Sequence, residues 1–438
     1  MVQEFSNSVV FMPSGGLKGT IQAPADKSVS HRAAVIAAIS DSTVKIKNFL
    51  RAADTQCTLR AIAACGVPVD NLDDVSPGDP VIHGAGLRGL RPPAGPIDIG
   101  NSGTSIRLLP GVFAGQEGSF TLDGDESIRL RPMDRIVEPL QKMGVSIKAR
   151  DGLYAPLTVT GGSVHAVHFD MPVASAQVKS SLLLAALYAD GPTEVVEPAV
   201  CRDHTEIMLA AAGARIEKEG LLTRIYPAKH LHMDDVDIIA DISSAAFWLV
   251  AGSIVPGSEI TLTGVGVNPT RTGLLDILLE MGADITLENE CRRKGELVAD
   301  LTVRYARLHG LAVGGGIVGR AIDELPLLAL AGAFATGETL VTGAAELKVK
   351  ESDRIAGLVE NLDAIGVHIK GTDDGFVVRG IHGPLGGSFF SHGDHRMAML
   401  GAVAGLASRE GVEVVDFDSV SVSYPSFRDD LEKLRGES

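Results

Sequence analysis

Six stretches of this sequence set small polar or charged residues directly ahead of runs rich in Ala and Leu. They are Asp26-Lys27-Ser28, Asn101-Ser102-Gly103-Thr104, Ser175-Ala176-Gln177, Asp241-Ile242-Ser243-Ser244, Asp323-Glu324 and Asp394-His395-Arg396. Each reads as a helix start, where short polar side chains cap unpaired backbone N–H groups. Three also carry cations within two turns: Lys27 with Arg32, Arg107, and Arg396. The helix dipole favours acids at that end, so cations there do nothing for the helix itself. They do suit an anionic ligand, because the N-terminal N–H groups already attract phosphate and carboxylate. Any one opening alone is an ordinary cap. Six together, on parallel buried helices, would aim their N–H groups at a common region.

The elements that carry these openings repeat. A Leu-like residue, a Gly four positions on and an apolar residue three later occur at Leu140/Gly144/Ile147, Leu209/Gly213/Ile216, Leu278/Gly282/Ile285 and Leu362/Gly366/Ile369. A variant stands at Ile62/Gly66/Val69 and a weak one at Ala407/Gly411/Val414. The pattern predicts a helix stopped by Gly in the left-handed region and followed by a strand, such as 146–148 or 284–287. The openings lie 66 to 82 residues apart, too far for a solenoid, so each unit should be a small α/β subdomain. Helices apolar on nearly every side, at 181–189 and 325–335, should be buried among their neighbours.

Length and composition agree. A chain of 438 residues exceeds one ordinary core, so two domains are expected. A net charge of −16 and only 4% aromatics argue against nucleic acid as a partner. Any anion site is a local basic pocket in an acidic whole. Cys57, Cys65, Cys201 and Cys291 form no CxxC pair and are expected to stay reduced. Met1–Thr20 lacks a basic segment followed by an apolar stretch, so a secretory signal is not expected. The longest apolar run, 325–335, is 11 residues, against about 20 for a membrane span. The expectation is a cytoplasmic protein with no membrane partner.

Four motifs carry a family resemblance. Asp26-Lys27-Ser28-Val29-Ser30-His31-Arg32 and Gly100-Asn101-Ser102-Gly103-Thr104-Ser105-Ile106-Arg107 resemble the two N-terminal signatures of 5-enolpyruvylshikimate-3-phosphate synthases. Lys348-Val349-Lys350-Glu351-Ser352-Asp353-Arg354 resembles the C-terminal signature of that family, and Gly393-Asp394-His395-Arg396-Met397 its last one. They follow the family's order and span nearly the whole chain. The resemblance implies an α/β, two-domain enolpyruvyl transferase fold, each domain made of three βαβαββ-type units with buried parallel helices. One domain would comprise 1–25 and 242–438, the other 26–241, with the active site in the cleft between them. It implies no cofactor, no metal and a monomer.

The implied reaction joins the enolpyruvyl group of phosphoenolpyruvate to the 5-hydroxyl of shikimate 3-phosphate and releases phosphate. It needs a base, an acid and cations for a carboxylate and two phosphates. For shikimate 3-phosphate the resemblance points to Lys27, Ser28, Arg32, Ser175, Ala176, Gln177, Arg202, Asp323 and Lys350. For phosphoenolpyruvate it points to Lys27, Gly103, Arg131, Gln177, Arg354 and Arg396, since guanidinium matches carboxylate and phosphate in bidentate fashion. Lys27 would contact both substrates. Asp323 is the candidate base, its simpler reading being a helix cap, and Glu351 is the candidate proton donor. Lys350 and Arg354 flank Glu351 and favour its ionised form, so donation requires the bound substrates to reverse that bias.

Two other enzymes compete. Gly314-Gly315-Gly316-Ile317-Val318-Gly319 satisfies GxGxxG and would suit a nicotinamide-dependent oxidoreductase, but the following helix is expected only at Asp323, past the motif. A UDP-N-acetylglucosamine enolpyruvyl transferase would need a catalytic Cys on a mobile loop, which none of the four matches. His392 and His395 lack a third ligand for a metal.

Arg131-Pro132-Met133-Asp134-Arg135, Ser175-Ala176-Gln177-Val178-Lys179, Arg202-Asp203-His204-Thr205-Glu206 and Asn268-Pro269-Thr270-Arg271 resemble the glyphosate-tolerant second class of that family, as does Val422 before the final aromatic-Pro pair. Ala25 and Gly103 depart from the tolerant pattern, which tends to have Gly and Ala there. A methyl at 103 would occupy space that glyphosate, longer than phosphoenolpyruvate, requires. We expect inhibition competitive with phosphoenolpyruvate, weakened at least about tenfold by Gly103→Ala, with a smaller loss of phosphoenolpyruvate affinity. An unchanged inhibition constant for that variant would move the determinant of tolerance elsewhere.

Overall fold

The computed structural model describes residues 7–73, 78–380 and 383–436. The chain divides into two compact units. The first comprises Met1–Pro24, Ala240–Cys291 and Leu297–Ser438; the second comprises Ala25–Ile239 and Arg292–Glu296. Among the described residues each unit holds three sheets.

In the second unit the repeat is plainest in its middle module. Strand Ile97–Asp98 runs parallel to Ser119–Asp123, which pairs antiparallel with Tyr154–Thr160, and that strand pairs antiparallel with Ser146–Arg150. Helices fill the two crossings. Alternation along Tyr154–Thr160, buried at every second residue, shows one face on the core and one in solvent. The module from His168–Asp170 to Leu222–Ile225 repeats this plan. The first module borrows its edge strand: Val236–Asp237, from the unit's far end, pairs parallel with Thr43–Lys47. The other unit does the same with its N-terminal strand Lys18–Ile21, which pairs parallel with Glu259–Gly266. Its last sheet is shorter, with strand Ser8–Phe11 antiparallel to Val412–Val415.

Among the described residues, twelve helices of eight residues or more follow in chain order. They are α1 Lys27–Ala38, α2 Ala53–Ala64, α3 Ser105–Phe113, α4 Asp134–Lys142, α5 Ala176–Ala186 and α6 His204–Ala211. Then come α7 Ile242–Ile254, α8 Gly273–Glu280, α9 Leu325–Phe334, α10 Arg354–Ala364, α11 His395–Leu406 and α12 Phe427–Arg435. The odd-numbered helices are the buried ones. Every residue of α7 is buried, and so is every residue of α9 except Phe334. Among the described residues no helix is long and apolar enough to cross a membrane.

Five of the even-numbered helices, α2, α4, α6, α8 and α10, end as the repeat predicts. The N–H groups of Val67, Val145, Ala214, Ala283 and Val367 donate back to the carbonyls of Ile62, Leu140, Leu209, Leu278 and Leu362 at 2.8–3.3 Å. The intervening Gly66, Gly144, Gly213, Gly282 and Gly366 all have φ between 83° and 93°, the Schellman geometry that glycine alone adopts without strain. Both residues of each closing bond are buried, so the recurrent Leu anchors the stop. The sixth occurrence is different. Helix α11 ends at Leu406, and Gly411 lies in the turn before strand Val412–Val415; the last helix stops instead at Gly436, φ 72°.

One glycine isolates the backbone term. A Cβ at Gly213 would meet nothing within 4 Å, so Gly213→Ala changes only the strain of φ 93°. We expect a loss of about 1 kcal/mol, read as a lower urea midpoint, with Gly213→Asn losing less. An unshifted midpoint would refute the role given to this stop.

Candidate active site

Every odd-numbered helix begins at one of the six openings, and the caps differ. Asp26, Ser175, Asp241 and Asp394 accept from backbone N–H groups of the first turn. Helix α3 uses Ser102, whose Oγ accepts from the Ser105 N–H at 3.1 Å. For α9 the capping position is Glu324, not Asp323, and Pro326 stands in its first turn. The simpler reading of Asp323 as the cap is thereby corrected, and its carboxylate engages side chains instead.

In the second unit the helix starts are tied together by side chains. Lys27 Nζ lies 3.0 Å from Asp54 Oδ2, and His31 Nε2 lies 3.3 Å from Asp54 Oδ1. From the other ring nitrogen of His31 a chain of hydroxyls runs through Thr58 (2.7 Å) to Ser105 (2.6 Å) and Ser102 (2.7 Å). Asp54 is buried at the start of α2. Burial would raise its pKa, but Lys27 and His31 outweigh that and hold it well below the usual carboxylate range. Next to this ring, Arg107 donates to the Gly103 carbonyl (3.0 Å) and to Gln177 Oε1 (3.2 Å), while Gln177 donates to Thr104 (3.2 Å). A Cβ at Gly103 would come within 2.9 Å of the Arg107 guanidinium and 3.0 Å of that of Arg131. The methyl of the expected Gly103→Ala variant therefore meets two guanidinium groups first. Arg32 reaches α5 and α6 through Ser180 and Thr205. Arg202 stands two residues ahead of α6, and Ser28 supplies its carbonyl to Arg32.

The first unit gathers a different set. Asp323 Oδ1 is 3.3 Å from Lys350 Nζ and 3.5 Å from Arg354, and its other oxygen is 3.9 Å from Arg396. Arg354, 1% exposed, also pairs with Glu351 at 2.6 Å and Asp394 at 2.7 Å. Burial works against its charge, yet Asp394, Glu351 and Asp323 together raise its pKa. Burial likewise opposes the Asp394 carboxylate, but Arg354 lowers its pKa. Ser243 at the start of α7 donates to Glu324, and Arg271 binds both Ser243 (2.7 Å) and Asp241 (3.0 Å). Asp323, Lys350, Glu351, Arg354 and Arg396 thus form one cluster, while Lys27, Gly103, Arg131 and Gln177 belong to the other unit. The roles of Asp54, Glu324 and Asp394 as partners of those cations, and of Arg271 as the partner of Asp241, were not read from the sequence. The excess of cations at helix starts is the signal that called for them.

The GxGxxG segment departs from expectation. A short helix, Gly316–Ala321, begins inside the motif because Gly315, φ 68°, turns the chain there. All four cysteines are free thiols. Burial pushes Cys57 up to about 11 and Cys65 and Cys201 up to about 12, so these three are protonated and poor nucleophiles at neutral pH.

Modules of this kind, three to a unit, with cations and carboxylates at the starts of buried helices, define the enolpyruvyl transferase fold. A solved structure of the enolpyruvyl transferase NikO from Streptomyces tendae superposes with a TM-score of 0.75 over 98% of this chain and 97% of that one, at 20% identity. EPSP synthase from Acinetobacter baumannii superposes with a TM-score of 0.87 at 39% identity, covering 98% of both chains. The family EPSP synthase (3-phosphoshikimate 1-carboxyvinyltransferase) matches residues 12–431. A 3-phosphoshikimate 1-carboxyvinyltransferase from Alkalilimnicola ehrlichii is 50% identical over 95% of this chain and 93% of its own. One from Bacillus cytotoxicus is 45% identical over 96% and 98%. The chain belongs to the EPSP synthase family.

Depressed carboxylate pKa values make stability fall in acid. Asp54 and Asp394 bind protons more readily unfolded than folded, so their contribution is complete above the unfolded pKa, near 4, and is lost as pH falls through the lower folded values. We expect the urea midpoint to decline steeply below about pH 4. Asp54→Asn, although less stable at neutral pH, should decline less steeply there. An equal slope in both proteins would show that Asp54 is not depressed.

Proposed function

We propose that the protein transfers the enolpyruvyl group of phosphoenolpyruvate to the 5-hydroxyl of shikimate 3-phosphate, releasing phosphate, in the shikimate route to aromatic amino acids. It acts without a cofactor, as a cytoplasmic monomer. The observation that carries this reading is near full-length identity of about half with 3-phosphoshikimate 1-carboxyvinyltransferases, joined to the charged groups described at the helix starts.

Shikimate 3-phosphate is received by Lys27, Ser28, Arg32, Gln177 and Arg202, with the Ser175 hydroxyl and the Ala176 N–H at the start of α5 for its phosphate. Asp323 takes the proton of the 5-hydroxyl as its oxygen attacks C2 of phosphoenolpyruvate. Glu351 protonates the methylene carbon, giving a tetrahedral intermediate. Loss of phosphate and of a methyl proton then restores the double bond. Arg131, Arg354 and Arg396 hold the carboxylate and phosphate of phosphoenolpyruvate, with Gly103 leaving room for the phosphate. Arg354 already pairs with Glu351 and Asp323. An arriving anion therefore competes with the two proton-transfer groups for one guanidinium, which couples binding to the acid–base step.

Phosphate release from phosphoenolpyruvate that depends on shikimate 3-phosphate tests the activity. Lys27→Met should keep the fold, judged by circular dichroism, and lose at least about a thousandfold in kcat/KM, since a charge-assisted contact to both substrates is removed. Near-normal turnover of that variant would sink the assignment of Lys27.

A further inference from the structure

Arg32 is only 4% exposed, and a buried guanidinium is costly unless its N–H groups are met. Three of its bonds go to neutral oxygens. Nε donates to Thr205 Oγ1 at 2.6 Å, one terminal nitrogen to Ser180 Oγ at 2.9 Å, and the other to the Ser28 carbonyl at 3.0 Å. Ser180 and Thr205 are each 1% exposed. The hydrogens of the two hydroxyls can be placed. Ser180 Oγ lies 2.6 Å from the Ala176 carbonyl, which can only accept, so the Ser180 proton goes there. Thr205 Oγ1, 2.7 Å from Ser180 Oγ, then donates to Ser180. Both hydroxyls are left turning lone pairs to the guanidinium, in the plane set by its Nε and terminal nitrogen.

Ion pairs keep these hydroxyls side by side. Lys179, next to Ser180 on α5, is fully buried and pairs with Glu197 and, at 2.6 Å, with Glu206, next to Thr205 on α6. Burial would lower the pKa of Lys179, but the two carboxylates outweigh it, so the ammonium stays charged. Glu197 also accepts from the Cys201 N–H at 2.7 Å, on the segment that leads to Arg202. The lock between α5 and α6 lies one residue away from each hydroxyl that grips Arg32. Hydroxyls that accept from a guanidinium fix its orientation, because its N–H groups point in set directions.

We propose that Ser180 and Thr205 are positioning residues for shikimate 3-phosphate, fixing the plane of the Arg32 guanidinium relative to the α5 N-terminus. This rests on the reading that Arg32 binds that substrate.

Thr205→Val removes the acceptor at nearly constant volume. Calorimetry on the full chain should show shikimate 3-phosphate binding about tenfold more weakly, the scale of one charge-assisted hydrogen bond, while kcat stays within about twofold. Thr205→Ser should restore affinity, and Ser180→Ala should weaken it less, providing the same test if Thr205→Val folds poorly. In an Arg32→Ala background Thr205→Val should add nothing. Equal losses in both backgrounds, or unchanged affinity for Thr205→Val and Ser180→Ala alone, would overturn the positioning role. Should Arg32→Ala itself leave shikimate 3-phosphate affinity unchanged while Lys27→Met abolishes it, the assignment of Arg32 falls and the proposal with it, whereas the activity stands.

Discussion

A helix buried on every side can present chemistry only at its ends. That constraint shapes this protein. Helices α7 and α9 bury nearly all their residues, so their charged groups are confined to the loop before the first turn, and Ser253, deep in α7, turns its hydroxyl to the Leu249 carbonyl. The N-terminal N–H groups must be satisfied there, and the caps at Asp26, Ser175, Asp241 and Asp394 do so with side chains. Once capped, those starts are crowded with charges that need partners in turn. The candidate site residues are therefore concentrated where the fold itself demands polarity.

The two units meet that demand differently. In the second unit the connecting groups are mostly hydroxyls: Thr58, Ser102 and Ser105 link α1, α2 and α3, and Ser180 with Thr205 links α1, α5 and α6. In the first unit the connectors are carboxylates, with Asp323, Glu351 and Asp394 on Arg354 and Glu324 against Arg396. Hydroxyl connectors orient cations and leave their charge intact, which suits the reception of anions. Carboxylate connectors can exchange protons and can be displaced by an incoming anion, which suits acid–base work.

Much of this was legible in the sequence, for physical reasons. The Leu-x-x-x-Gly repeat marks helix stops because one hydrogen bond closes over one buried apolar residue, and five of its six occurrences close that way. The sixth failed because Gly411 has the conformation without a helix to end. A positive φ serves a strand-entry turn as well as a helix stop, and local spacing does not separate the two. The helix that begins inside Gly314–Gly319 was missed because four glycines argue against helix by propensity, although Gly315 as the residue before the first turn allows one. The side-chain partners were the least legible. Asp54 belongs to Lys27 and Arg271 to Asp241, at separations of 27 and 30 residues, and only the folded chain brings such pairs together.

The discontinuity of the chain follows from the same modular logic. Each module needs a short strand parallel to the one after its first helix, and the module that opens each unit takes that strand from a segment far away in sequence. Val236–Asp237 fills the vacancy beside Thr43–Lys47, and Lys18–Ile21 fills it beside Glu259–Gly266. The borrowed strands close each unit upon its own ends, so neither unit can be completed until its last-synthesised or most distant strand arrives. Asp26 and Asp241, the caps of α1 and α7, directly follow these junctions. Their backbone N–H groups bond to Ile239 and Pro24 respectively. The residues that begin the two leading helices are thus held by the same hydrogen bonds that fasten the chain where it passes from one unit to the other. Lys27, one residue past such a bond, owes its fixed place to that closure as much as to Asp54.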